Sequence, residues 1–424
     1  MQLSYKDIIK NFFIYSFGAI FLKAAYAIVI PLNLKVISPT QYGILGLANG
    51  FSTILSIFLG LGLRQALWLD FFHYDNEHRK KILVDIVTVY LIVSTPIFII
   101  LLLSIYPINK LYFLNQASLK LIIVSLLTCF FSFFNELYFQ ILRYKLQARY
   151  CTFLQITSAL FSIILNIILV FYFNLNILGI AIANFVALVM PVISALYKYK
   201  NFIYFNFFKQ NYISTQSINL IKKYIKAGAP FIPTMIFAWI LSSCDKVILS
   251  RFCNMHEVGI YSLTDTLAQL FYVIILQPLS GSYLPALFES FSQNKEDLKT
   301  IEYKNRKIMW ISIILLFVFI TLGYSLATNI LKMVLPERYY EVISYLWLML
   351  VGYIFLMGTY FSTSLIQFKK KTLFLSLSFC IPAIINILLN FILIPYYGAY
   401  GCVLATTLSY FIYFIITIIY KQNI

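Results

Sequence analysis

Charged side chains within long apolar runs are the residues of this chain whose types could do chemistry. Lys23, Asp245, Lys246 and Asp265 each interrupt a run typical of a membrane-spanning segment. A charge at the middle of a bilayer costs from about 3 to over 10 kcal/mol, so such residues normally face a water-filled cavity or a partner of opposite charge. At ~1.5 Å per residue, all four lie roughly 10 Å or less below one predicted membrane surface. The pattern predicts a polar site for a charged ligand, although a structural ion pair would place the same residues there.

A second charged group lies near the opposite membrane surface. Its members are Arg64, Asp85, Glu136 and Arg143. Long cationic side chains at helix ends often extend along the helix to reach water, and acidic side chains pair with them. A structural role is therefore the main alternative to a role in gating or coupling for this group.

Signatures of catalysis and metal binding are missing from the sequence. It contains no P-loop, no HExxH and no GxSxG motif. The histidines, His73, His78 and His256, fall between apolar runs, and the six cysteines form no CxxC pair. We therefore predict a protein that is not an enzyme and that has no metal site and no cofactor.

Membrane helices must position these charges. Hydrophobic residues make up 61% of the chain, charged residues 11%, and the mean hydropathy is +0.86, whereas a soluble domain carries about 25% charged residues. A helix needs ~20 apolar residues to cross a hydrocarbon layer of about 30 Å. Twelve suitable runs are Asn11–Ile30, Tyr42–Leu63, Ile82–Ile105, Leu119–Leu142, Phe153–Phe173, Ile177–Tyr197, Tyr224–Leu249, Val258–Leu287, Ile308–Leu331, Val342–Gln367, Leu373–Ile394 and Ala399–Tyr420. The fold class is therefore an all-α integral membrane protein with about 12 transmembrane helices.

The distribution of Lys and Arg predicts the orientation of these helices. Of the 32 basic residues, 24 lie in one alternating set of loops and 6 in the other. Basic loops stay in the cytoplasm, so both termini are predicted to be cytoplasmic. The same distribution explains the net charge of +17, and nucleic acid is not an expected partner.

The two halves of the chain resemble each other. Ser38–Ala48 aligns without gaps with Asn254–Thr264, and Leu165–Val170 aligns with Leu389–Ile394. This duplication predicts two six-helix lobes, 1–197 and 224–424, joined by a basic cytoplasmic linker at 198–223. Two parallel repeats around an axis along the membrane normal are a common plan of transporters, with the substrate path between them.

Several segments are similar to polysaccharide (O-antigen, Wzx-type) flippases of the multidrug/oligosaccharidyl-lipid/polysaccharide exporter (MOP) superfamily. They are the stretch Ala227–Leu270, with its spaced Pro230 and Pro233, the Asp245–Lys246 pair and Gly259–Tyr261, together with Gln41–Ala48 and Asn386–Tyr410. The resemblance covers essentially the whole chain and implies a MATE-like two-lobed fold. It also implies translocation of undecaprenyl-diphosphate-linked oligosaccharide repeat units across the bacterial inner membrane, for O-antigen, lipopolysaccharide, capsule or exopolysaccharide synthesis.

The resemblance assigns expected roles to the charged residues. A lipid diphosphate needs cations, because Lys and Arg donate charge-assisted hydrogen bonds to phosphate, and Lys23, Lys246 and Arg64 are the candidates for that role. The gating or coupling candidates are Asp245, Asp265, Glu136 and Asp85. Coupling to an H⁺ or Na⁺ gradient is left open. The expected partners are the lipid-linked oligosaccharide, membrane lipids and other membrane proteins of glycan assembly.

Two other functions remain open at this point. A drug or metabolite antiporter of the same superfamily would suit an acid-dominated cavity, whereas a basic lining suits a diphosphate. A membrane-embedded glycan polymerase is disfavoured, because the longest predicted external loop, about Tyr106–Ser118, is too short for an extramembrane domain.

Overall fold

The computed structural model describes residues 14, 18, 21, 27–71, 76–145, 147–209, 215–292, 298–369 and 371–422. All regular structure in these ranges is helical. The α-helices are α1 (Ala27–Val36), α2 (Pro39–Gly60), α3 (Leu63–Phe71), α4 (Asn76–Leu103), α5 (Ile105–Leu111), α6 (Leu119–Tyr144), α7 (Ala148–Ile167), α8 (Asn176–Lys209), α9 (Thr215–Gly228), α10 (Ile232–Trp239), α11 (Asp245–Phe252), α12 (Met255–Ser292), α13 (Leu298–Val334), α14 (Glu341–Phe368) and α15 (Thr372–Gln422). Two π-helical segments, Ile168–Tyr172 and Ile240–Cys244, follow α7 and α10.

Ten helices in the described ranges are long and apolar enough to cross a membrane, and α1 is a shorter apolar helix. The first predicted run, Asn11–Ile30, lies mostly outside the described residues. The last two predicted runs fall together within the single helical stretch α15, Thr372–Gln422. The prediction of an all-α, multi-span membrane protein is confirmed.

The long final helix is in fact two helices that meet at a sharp bend. Gly398 has a non-helical conformation, with φ 54° and ψ −134°, which favours glycine. A methyl carbon built on Gly401 would lie 2.7 Å from the carbonyl carbon of Leu393, although eight residues of straight helix would separate them by about 12 Å. Gly179 approaches Leu169 similarly, since its added methyl would lie 3.1 Å from the Leu169 carbonyl carbon. Both glycines open the segments that follow the second pair of aligned sequences.

The helices α2 and α12 begin with caps at equivalent positions of the predicted repeat. The amide of Gln41 donates to Ser38 Oγ at 3.3 Å, and the amide of Ser38 donates to Gln41 Oε1 at 3.1 Å. In α12 the amide of Glu257 donates to Asn254 Oδ1 at 3.0 Å. A polar residue before the helix and Gln or Glu three residues later satisfy amides that have no partner within the helix. The two segments that align in sequence therefore fold alike.

The same two helices also contact each other through their equivalent glycines. A methyl carbon on Gly43 would lie 2.9 Å from the amide nitrogen of Gly259, and one on Gly259 would lie 3.1 Å from that of Gly43. Three residues further on, a methyl on Gly46 would lie 2.9 Å from Ser262 Cβ. Small residues let two membrane helices approach at backbone distance. The crossing of α2 and α12 thus depends on having no side chain at positions 43 and 259.

The chain divides into two compact units. The first unit combines the segment up to Gly46 with Ile240–Ile424, and the second unit is Leu47–Trp239. The core of the second unit contains Tyr90, which stacks on Phe133 with ring centroids 3.7 Å apart, and Tyr224. One core of the first unit gathers Leu34, Ile260, Leu263 and the loop residue Tyr339. The division into lobes at 198–223 stays a prediction.

The stretch predicted as a basic linker is largely helical. The helix α8 continues from the predicted span to Lys209, and α9 begins at Thr215. Lysine is a good helix former, so an accumulation of Lys does not end a helix as Gly or Pro would. The polar composition of the stretch did not indicate that it is helical.

Candidate functional site

An ion pair between α11 and α12 lies at the centre of the candidate site in the first unit. Lys246 Nζ is 2.8 Å from Asp265 Oδ2, and the two side chains are only 12% and 5% exposed. Asp245 and Lys246 are the first two residues after the π-helical segment Ile240–Cys244, and such segments are frequent at functional sites. Because α12 begins at Met255, Asp265 lies ten residues into its helix, or about 15 Å. It is therefore deeper than its predicted run suggested.

Asp245 is buried beside this pair, with 1% of its surface exposed. Its Oδ2 accepts hydrogen bonds from the hydroxyl of Tyr261 and from Thr406 Oγ1, the latter at 3.3 Å. Its Oδ1 accepts from the backbone amide of Lys246 at 2.8 Å. These donors solvate the carboxylate in place of water, which a buried charge requires.

Asp265 has its own set of donors. The hydroxyl of Tyr353 donates to Oδ1 at 2.8 Å, and Gln269 Nε2 donates to Oδ2 at 3.1 Å, beside Lys246 Nζ. The cluster thus combines two carboxylates with one ammonium group. If both acids are ionised, it carries one net negative charge and can accept one proton or one small cation.

Tyrosine rings extend this polar cluster along α12, α14 and α15. The ring of Tyr353 lies 5.2 Å from that of Tyr272 and 5.6 Å from that of Tyr410, between centroids. Tyr410 donates to the Leu241 carbonyl at 3.3 Å. Tyr353 and Tyr410 are 5% and 4% exposed, so these rings form part of the buried packing around the acidic cluster.

The second unit contains an ion pair between Arg64 of α3 and Glu136 of α6. The two side chains are 29% and 50% exposed. Burial, followed by the charge of Arg143, lowers the pKa of Arg64 from its ordinary value, but a guanidinium keeps its charge at any physiological pH. The pair borders a small cleft that is lined by Ser56, Gly60, Gly62, Arg64, Gln65, Ser132, Phe133, Glu136 and Met235. This cleft offers a cation and several hydroxyl and amide groups to an anionic ligand.

Asp85 is separate from that ion pair. It is 5% exposed, and its Oδ1 has no hydrogen-bond partner among the described residues. The charges that act on it are those of Lys81 and Lys223. Lys23, the remaining predicted site residue, lies outside the described residues. Within the described ranges, no group of three or more His, Cys, Asp or Glu residues could hold a metal ion.

An arginine that sequence reasoning did not select binds the end of α1. Arg338 Nη2 donates to the carbonyls of Leu34, Lys35 and Ile37 at 2.8, 2.9 and 2.9 Å. The hydroxyl of Tyr339 donates to the Ile37 carbonyl as well, at 2.9 Å. The last carbonyls of a helix lack partners within the helix and favour a cation. The scarcity of basic residues in the predicted external loops was the one signal that pointed to Arg338.

Comparison with solved structures places this fold among known transporters. A structure of the lipid II flippase MurJ in an inward closed conformation has a TM-score of 0.73 at 14% identity, covering 98% of this chain and 87% of that one. An inward-facing MATE-family multidrug transporter of the MOP superfamily gives 0.62 at 15% identity, with 100% and 95% coverage. A MOP-superfamily transporter from Pyrococcus furiosus, described as having a binding pocket of reversed polarity, gives 0.60 at 15% identity, with 100% and 98% coverage.

Sequence comparisons give the family. No curated protein sequence matches the chain. The family described as polysaccharide biosynthesis protein matches residues 8–291, which is more than half of the chain. The chain therefore belongs to the polysaccharide biosynthesis protein family, and its fold is that of the MOP-superfamily transporters.

Proposed function

We propose that this protein is a flippase that moves an oligosaccharide linked to undecaprenyl diphosphate from the cytoplasmic to the outer leaflet of the bacterial inner membrane. The observation that carries the proposal is the family match over residues 8–291 in a chain with the MOP transporter fold. The cargo serves the synthesis of O-antigen, lipopolysaccharide, capsule or exopolysaccharide. Both termini are cytoplasmic in this proposal, as the 24-to-6 distribution of basic residues favours.

The diphosphate binds by displacing carboxylates from cations. Lys246 is paired with Asp265, and Arg64 with Glu136, so each candidate cation already holds an acidic partner. A diphosphate is a stronger acceptor than one carboxylate because it presents more oxygens and more charge. Binding therefore releases the acid, and the energy difference between the two pairings shifts the protein between conformations. Lys23 is a third candidate cation in this mechanism.

Release of Asp265 gives the transport cycle a coupling site. A buried carboxylate that has lost its ammonium partner must be neutralised, because an unpaired buried charge is costly. An incoming H⁺ or Na⁺ would do this at Asp265 or at its neighbour Asp245. The gradient of that cation would then drive the return of the empty carrier.

One observation favours a second function, transport of a cationic drug or metabolite. The described cluster contains two carboxylates, Asp245 and Asp265, but one ammonium group, and an excess of acid suits an organic cation. In that mechanism the cation displaces Lys246 from Asp265. The two functions therefore predict opposite consequences of removing Lys246: loss of transport for a diphosphate, and retention or gain for an organic cation.

Depletion of the protein in its own cells distinguishes these functions. A flippase defect leaves complete lipid-linked repeat units on the cytoplasmic leaflet, where external lectins do not reach them. Loss of a polymerase leaves single repeat units accessible from outside, and loss of an antiporter raises sensitivity to cationic drugs with normal surface glycan. Normal surface glycan after depletion would refute the proposed function.

A further inference from the structure

The helix α9 presents a row of lysines from a fixed position. Lys222, Lys223 and Lys226 are exposed, whereas Tyr224 on the other face is 1% exposed. Ile221 and Ala227 pack into the same core of the second unit as Tyr224. The apolar face of this amphipathic helix is therefore occupied by protein. The three lysines remain exposed, although Lys223 Nζ also lies 5.0 Å from the centroid of the Tyr224 ring.

The C-terminal end of α9 is held at backbone distance. A methyl carbon on Gly228 would lie 2.8 Å from the carbonyl carbon of Gly62. Gly62 itself has a φ of 67°, a conformation that favours glycine. With Tyr224 buried and Gly228 in this contact, the three lysines belong to a rigid element rather than to a flexible loop.

The length of the following segment sets the depth of α9 in the membrane. One apolar helical stretch runs for 34 residues, Asn219–Phe252. At ~1.5 Å per residue, the part from Ile232 to Phe252 already covers about 30 Å, the thickness of the hydrocarbon layer. The residues before Ile232, including the lysines of α9, therefore lie at the level of the lipid headgroups.

Lys81 extends the same basic surface. It is exposed and is the first residue of the candidate span Lys81–Leu103, so it too lies at a membrane surface. Lys81 and Lys223 both act on the carboxylate of Asp85, which relates the start of α4 to α9. Asp85 is 5% exposed, so the charge presented to the headgroups is positive.

We propose that Lys81, Lys222, Lys223 and Lys226 form a cationic strip that binds the phosphate headgroups of anionic bilayer phospholipids on the predicted cytoplasmic side. Basic residues on an amphipathic helix beside a membrane span attract anionic lipid, each contributing about 1 kcal/mol, or roughly fivefold in affinity. Lysine donates to phosphate from a mobile ammonium group and needs no fixed fork geometry. Lipid binding by the strip does not depend on the identity of the cargo, so this proposal can be tested independently of the proposed function.

Lipid titration of the full-length protein in detergent, followed by native mass spectrometry, tests this proposal. The probes are phosphatidylglycerol and the zwitterionic phosphatidylcholine. The strip variant is K222Q/K223Q/K226Q, and the matched control is K304Q/R306Q/K307Q, which removes three exposed charges from α13 on the same predicted side. We expect the wild type to prefer phosphatidylglycerol, the strip variant to lose at least tenfold in affinity for it, and the control to lose less than twofold.

Two further comparisons separate an effect of charge from misfolding and from binding of the cargo. The variant K222R/K223R/K226R keeps the charge and should keep phosphatidylglycerol binding, which shows that a loss in the Gln variant reflects charge rather than misfolding. An equal loss in strip and control variants would overturn the proposal, because binding would then follow net charge. A third probe is undecaprenyl diphosphate. If the wild type bound it at least tenfold more tightly than phosphatidylglycerol, and the strip variant lost that binding, the proposal would be overturned and the strip would be a cargo-binding site instead.

Discussion

Two ion pairs in the described part of the chain differ in what their removal should cost. Lys246 and Asp265 are 12% and 5% exposed, whereas Arg64 and Glu136 are 29% and 50% exposed. Breaking a buried pair by removing one partner leaves an uncompensated charge and costs about 3–5 kcal/mol. A pair that water reaches contributes at most about 1 kcal/mol. Loss of Lys246 is therefore expected to destabilise the protein more than loss of Arg64.

We expect Lys246→Gln to lower the thermal unfolding midpoint of the detergent-solubilised protein, because Asp265 then remains buried without its ammonium partner. The double variant K246Q/D265N removes both charges and should recover most of the loss, but it should not transport. A double variant as unstable as the single one would show that Asp265 does not depend on Lys246.

Arg64→Gln removes the cation of the more exposed ion pair. We expect a change of less than about 1 kcal/mol in the free energy of unfolding, since the pair with Glu136 is partly solvated. If Arg64 binds the diphosphate, the same variant binds undecaprenyl diphosphate at least tenfold more weakly in a titration, with an unchanged unfolding midpoint. Unchanged lipid affinity would remove Arg64 from the list of ligand-binding residues.

Sequence reasoning predicted the charges of this site but not the groups that solvate them. Charged residues are rare in apolar runs, so Asp245, Lys246 and Asp265 were conspicuous. Tyr353 and Thr406 were not, because Tyr and Thr are common in this chain and lie 88 and 161 residues from the acids they contact. Only the packing of separate helices brings such donors together.

At the scale of elements, the loop between α13 and α14 fastens the end of α1. Arg338 supplies three hydrogen bonds to backbone carbonyls, and Tyr339 supplies a fourth. Hydrogen bonds from a charged donor contribute about 1.5–3 kcal/mol, enough to shift a population tenfold or more. The contact lies on the predicted external side, directly beside the buried Leu34.

Arg338→Gln should therefore expose this region from outside. A cysteine at position 34, in a background with the six native cysteines replaced by Ala, reports the change through labelling by a membrane-impermeant maleimide. We expect labelling to be at least several-fold faster with Arg338→Gln. Lys332→Gln, which removes a charge from the end of α13 and keeps Arg338, serves as the control. Equal labelling rates in the two variants would show that Arg338 does not keep position 34 covered.

Helices were predictable from the sequence where a long apolar run or a capping sequence defined them. The apolar runs gave most helices, and the aligned segments gave the equivalent starts of α2 and α12. The polar composition of 198–209 suggests a linker and does not indicate that α8 continues through this segment. The bend at Gly398 depends on a single backbone conformation, and apolar composition is the same on both sides of it.

At the scale of the whole molecule, orientation in the membrane follows from charge. The distribution of 24 and 6 basic residues predicts that reporter fusions after Lys200 and after Lys371 are cytoplasmic and that a fusion after Tyr397 is external. The last site is the most informative, because it lies beside the bend at Gly398. A cytoplasmic reporter at Tyr397 would remove one pair of spans and with it the six-plus-six plan.

The most direct measurement is translocation by the purified protein. Vesicles are prepared with oligosaccharide linked to undecaprenyl diphosphate in both leaflets, and a membrane-impermeant glycosidase is added outside. In vesicles without protein, digestion stops when the outer leaflet is consumed. With the wild-type protein we predict digestion of the whole pool, and with K246Q/D265N we predict the same stop as in empty vesicles. A wild-type protein that leaves the inner-leaflet pool undigested, while correctly folded and inserted, would contradict the proposal that this chain flips a lipid-linked oligosaccharide.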